Sequence, residues 1–64
     1  MNIQDQAVKI IQSYGAFRKS HAFMLGMSDY RNGVNKDWLM GYDAQCYDRG
    51  QECQMRINRM MEGA

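Results

Sequence analysis

From Ile3 to Met24 the seam positions advance by four, three, four, three, four and three residues: Ile3, Ala7, Ile10, Tyr14, Phe17, His21 and Met24. A period of 3.5 is that of a helical stripe against which another helix packs. Val8, Ile11, Ala22, Leu25 and Met27 widen the stripe into a face. No segment of the chain alternates with the period of two that a half-buried strand requires. Proline is absent from the 64 residues, although average usage of about 5% would supply roughly three. The pattern therefore predicts an all-α protein.

Helix ends can be placed from local chemistry. Asn2 or Gln4 can start the first helix, with Asp5 favourably placed in its first turn. Asn32-Gly33 reads as its end, with Gly33 in the left-handed cap. Asn35 then offers an N-cap, Asp37 sits in the new first turn, and Val34 is placed to staple against Leu39. The second helix carries Leu39, Tyr42, Cys46, Cys53, Ile57 and Met60 on one stripe, with Arg49 and Gly50 at the missing turn. The expected fold is a small helical hairpin of two long helices, with a third short helix after Gly50 if the second one splits there. The end, Glu62-Gly63-Ala64, is expected to fray.

Size limits what such a hairpin can do alone. A chain below roughly 70–80 residues builds one modest core, so residues 1–64 form a single domain. A seam this long predicts a homodimer or an obligate complex in which Ile10, Tyr14, Phe17 and Met24 are covered. Met24, Met27, Met40, Met55, Met60 and Met61 add adaptable apolar surface, suited to core gaps and to binding faces alike. No run approaches the roughly 18 apolar residues of a membrane span. The N-terminal residues show no signal-peptide pattern and the cysteines suggest a reducing compartment, so the expected location is the cytoplasm.

The usual chemical signatures do not assemble. Cys46 and Cys53 stand two turns apart on one helix, about 10.5 Å between Cα atoms, too far for a disulfide or a shared zinc. Both read as small buried apolar side chains. His21, the single histidine, has no nucleophile or acid at a catalytic spacing. It reads as a seam-edge residue bonded to a carbonyl or carboxylate. The expectation is a non-enzymatic protein without metal or cofactor.

Charge is unevenly divided. Residues 1–36 hold Lys9, Arg18, Lys19, Arg31 and Lys36 against Asp5 and Asp29, a net +3, whereas residues 37–64 carry a net −2. Basic residues interleaved with Tyr14, Phe17, Phe23, Tyr30 and Trp38 can meet RNA through phosphate pairing and stacking, and can equally be the solvated face beside a core.

The stretch Gly26-Met-Ser-Asp-Tyr-Arg-Asn-Gly33, followed by Trp38-Leu39-Met40-Gly41-Tyr42, resembles the ribosome modulation factor family over about residues 22–48. The resemblance implies a short cytoplasmic helical protein that binds ribosomal RNA, blocks initiation and promotes ribosome pairing. The expected partner-binding residues are Arg18, Lys19, Tyr30, Arg31, Lys36, Trp38 and Tyr42. Its physical reading puts Gly41 against the first helix, aided by Gly26 and Gly33, with Trp38 packed in the angle between helices. The alternative function is an inhibitor, encoded by a phage or mobile element, that occludes a host protein.

Overall fold

The computed structural model describes residues 2–63, whose regular elements are all helices, with no strand among them. Helix α1 spans Ile3–Gln12, a 3-10 helix follows over Gly15–Lys19, α2 covers His21–Arg31 and α3 covers Gly41–Glu62. No helix among the described residues is long and apolar enough to cross a membrane. The expected fraying includes Ala64, which lies outside the described residues.

The first expected helix is broken. Asn2 caps α1 as anticipated, its Oδ1 accepting the Asp5 amide at 2.8 Å. The chain then turns at Gly15, whose φ of +61° is left-handed. It restarts at Ser20, an extended residue whose Oγ accepts the Ala22 amide at 3.1 Å. The seam therefore changes direction at a glycine that tolerates positive φ. As a result His21 and Met24 lie exposed on α2, Ile10, Tyr14 and Phe17 are only half-buried, and the buried face of α2 is Phe23, Gly26 and Asp29.

The second helix, by contrast, runs unbroken through Gly50, so the extra helix stands before α2 and not after Gly50. Gly26 and Gly50 make the α2–α3 crossing possible. A Cβ on Gly26 would strike the Tyr47 carbonyl and lie 3.2 Å from the Gln51 amide. A Cβ on Gly50 would strike the Phe23 carbonyl and lie 3.1 Å from the Met27 amide. Each glycine thus admits the other helix's backbone, at a cost of about 1 kcal/mol in helix propensity. Phe23, Cys46, Cys53 and Ile57 form the core around this crossing, with Tyr47 also fully buried.

Gly41 is not the close-contact glycine. No heavy atom lies within 4 Å of where its Cβ would be, and its φ of +65° instead serves the entry into α3. Gly33 has equally open surroundings, but its expected left-handed cap is present, with φ at +71°. The Gly33 amide donates to the Tyr30 carbonyl at 3.2 Å and the Val34 amide to the Asp29 carbonyl at 2.8 Å, the paired bonds of a Schellman cap.

Helix α3 starts five residues later than the Asn35 cap signal suggests, and Met40 precedes it without a side-chain cap. The reason is tertiary. The Lys36 amide donates to the Tyr47 hydroxyl at 2.9 Å, and Val34 supplies its carbonyl to Gln51 Nε2 at 3.3 Å. These bonds hold the connection along α3 as a loop, which outweighs a local capping preference and leaves no Val34–Leu39 staple inside a helix.

Candidate docking surface

The loop between α2 and α3 is built on a small buried polar cluster. Asp29, near the end of α2, accepts the Tyr47 hydroxyl at 2.7 Å on Oδ2, and the same oxygen takes the Lys36 ammonium. Gln51 completes the cluster, donating to the Gly26 carbonyl at 3.0 Å. Every buried side-chain nitrogen and oxygen among the described residues has a partner. The Lys36 hydrogen bond, reinforced by that of Tyr47, holds the Asp29 carboxyl below its usual range despite burial. Burial, together with the Asp29 hydrogen bond, pushes the Tyr47 phenol up. Both shifts favour the charge states that the cluster uses: ionised Asp29 and neutral Tyr47.

Beyond this anchored portion the chain turns its large apolar side chains outward. Trp38 is 69% exposed, Met40 83% and Tyr42 57%. The expectation that Trp38 packs between the helices is therefore corrected. The Gly26–Gly50 approach leaves no room for an indole in the angle, and the ring stands on the loop instead. Tyr42, on the first turn of α3, stacks against Phe17 with centroids 5.9 Å apart. Beside them lies a cleft of about 320 Å³ lined by Ser20, His21, Ala22, Leu25, Leu39 and Asp43. Its walls are mainly aliphatic, and His21 and Asp43 stand at it as the titratable groups. His21 is thus an exposed first residue of α2 at a cleft and not a seam residue held in a core.

The other partner-binding candidates divide by position. Arg18 and Lys19 are exposed on the 3-10 helix. Tyr30 is exposed near the end of α2, and Arg31 donates to Gln54 Oε1 at 2.8 Å. Lys36 is bound into the cluster with Asp29, so its charge is internally balanced. The candidates thus do not form one basic patch. Trp38, Met40 and Tyr42 with the cleft form the apolar surface, while Arg18 and Lys19 lie on the segment leading into Ser20 at that cleft.

The covered seam has its own chemistry. Tyr14 packs on Phe23 with centroids 5.6 Å apart, and the Arg56 guanidinium lies 5.6 Å from the Tyr14 ring centre. Arg56 Nη1 also donates to the Tyr14 hydroxyl at 3.2 Å. Arg49 covers Phe17 at 5.8 Å. Cys46 and Cys53 are free thiols in the core, and burial raises the Cys53 thiol above its ordinary value. No group of three or more His, Cys, Asp and Glu side chains among the described residues is placed to hold a metal ion.

Sequence reasoning missed Asp29, Tyr47 and Gln51 as the residues that position the loop. Tyr47 carried the one available signal, since it directly follows the stripe residue Cys46. No protein-family model, curated protein or solved structure matches this chain.

Proposed function

We propose that this is a non-enzymatic cytoplasmic protein that docks on a larger assembly through the surface around Trp38 and, following its resemblance to the ribosome modulation factor family, that the assembly is the ribosome. The observation that carries the reading is the exposure of Trp38, Met40 and Tyr42, at 69%, 83% and 57%, beside a loop anchored from below by Asp29 and Tyr47. Large apolar side chains on an ordered support lose little conformational freedom on binding and bury much area, as interface anchors do. Arg18 and Lys19 supply the charges that can meet RNA phosphates from the adjoining segment.

A second reading, occlusion of a host protein by a phage or mobile-element product, is favoured by one feature of the same surface. Lys36 is neutralised by Asp29, and Asp43 stands at the cleft, so the apolar patch itself carries little positive charge. Trp38 is the single tryptophan and reports directly on both readings. Titration with purified ribosomes should give a saturable blue shift of its emission, and affinity should fall steeply between about 50 and about 200 mM salt. Trp38→Ala should keep the helical circular dichroism and lose ribosome binding. An emission spectrum unmoved by ribosomes would remove the ribosome as partner, and salt-insensitive binding to a protein would favour occlusion.

A further inference from the structure

Helix α1 is held differently from the rest of the molecule. It contains no buried residue, and its apolar side chains Ala7, Ile10 and Ile11 rest half-covered on the core of Phe23, Cys46, Cys53 and Ile57. It joins α2 through a bend that depends on left-handed Gly15 and on extended Ser20. The seam from Ile3 to Met24 nevertheless keeps helical phase straight through that bend. The closed chain packs the middle of the seam, Ala7, Ile10, Tyr14 and Phe17, on the core and leaves its ends, Ile3 and Met24, at 43% and 55% exposure.

We propose that α1 is an exchangeable element. The bend opens into continuous helix, α1 leaves its own seat, and the α1 of a second copy takes that seat in return, giving a reciprocal dimer. The occupant follows from the molecule itself, because the core already accepts this helix, and a second copy presents the same Ala7, Ile10 and Ile11. The exchange repeats the contacts that α1 itself makes but opens the bend that carries Tyr14 and Phe17, so its energetics turn on their contacts with Arg56, Arg49 and Tyr42, on the two bends and on the entropy of association. The hinge residues, Ser13–Ser20, contain no proline to oppose helix.

Gly15 gives the test a sign. No heavy atom lies within 4 Å of its Cβ position, so a methyl group there acts through backbone conformation alone. An L-residue is disfavoured at positive φ and favoured in the opened helix. Gly15→Ala should therefore promote opening roughly tenfold per chain, and the dimerisation constant roughly 100-fold. A synthetic chain with D-alanine at position 15, which prefers the closed bend, should shift the constant the other way. Light scattering from micromolar to millimolar chain measures both. In the native dimer, isotope-filtered NMR should show contacts from the Ile10 and Ile11 methyls of one copy to the core side chains of the other. The proposal is overturned if native and Gly15→Ala chains both stay monomeric at millimolar concentration. It is also overturned by a dimer insensitive to D-alanine, or by one whose α1 contacts all lie within one chain. No ribosome or other partner enters this experiment, so its failure and that of the docking reading are separable.

Discussion

Two helix contacts in this molecule are made by opposite means. Where α2 meets α3, side chains are removed: Gly26 and Gly50 admit the facing backbone, and Phe23, Cys46 and Tyr47 fill the flanks. Where α1 and the 3-10 helix meet the core, the contact is made by large rings and long cations, Tyr14 under Arg56 and Phe17 under Arg49. The first contact is specific because nothing larger than hydrogen fits. The second is tolerant, because half-exposed rings and guanidinium groups can shift without creating a void. A chain of 64 residues thus invests its limited core in one crossing and leaves its N-terminal helix lightly seated.

The largest expected effect tests the crossing. Gly50→Ala would gain about 1 kcal/mol of helix propensity, but its methyl group has only the Phe23 carbonyl to occupy. The steric term wins, and urea denaturation should show a loss of about 3 kcal/mol or more, enough to unfold much of a domain this small. Gly41→Ala is the control. It meets nothing within 4 Å and should cost only about 1–2 kcal/mol for its positive φ.

Truncating isoleucine on each side of the molecule sharpens the comparison. Ile57→Ala, in the core, should cost about 2–5 kcal/mol, whereas Ile10→Ala, half-exposed on α1, should cost about 1 kcal/mol. Equal costs in thermal melts would mean that α1 is as firmly seated as α3.

Next in size is the support of the loop. Tyr47→Phe removes the hydroxyl that serves both Asp29 and the Lys36 amide, and should cost about 1–3 kcal/mol. Hydrogen exchange at the Lys36 amide should accelerate more than exchange in the middle of α3. Trp38→Ala, in contrast, should change stability by no more than about 0.5 kcal/mol, as expected for an exposed side chain.

The pH dependence should be modest and signed. Asp29 has its carboxyl lowered by Lys36 and Tyr47. Its contribution is fully present above the ordinary aspartate value of about 3.9 and is lost as pH falls through the lower folded value. Tyr47, raised by burial, contributes below the ordinary tyrosine value of about 10 and loses that contribution as pH rises through its folded value. Denaturant midpoints across pH should fall at both ends, and Asp29→Asn should flatten the acid side.

Much of this was legible locally. The Asn2 and Gly33 caps rest on the chemistry of three or four neighbouring residues, and the core run Cys46, Cys53 and Ile57 rests on helical spacing. What could not be read locally depends on pairs far apart in sequence. Gly26 reads as a close-approach glycine, but its partner Gly50 looks like a gap in the stripe until the two face each other across the crossing. Asn35 looks like a cap because the bonds from Tyr47 and Gln51 that keep the loop open come from later in the chain. Trp38 reads as filling the helix angle because Gly41 looks like the close-contact glycine beside it, whereas the crossing is made by Gly26 and Gly50 and the indole is 69% exposed. The candidate docking surface was therefore half legible: Trp38 and Tyr42 were identified, but the cleft and the Asp29 support were not.

Residue-resolved native-state amide hydrogen exchange tests the central contrast most directly. Amides in the middle of α2 and α3, around Phe23 and Tyr47, should exchange only through global unfolding, while those of α1 exchange through a lower-energy opening that Gly15→Ala makes easier still. Protection in α1 equal to that of α3, and unchanged by Gly15→Ala, would contradict the account.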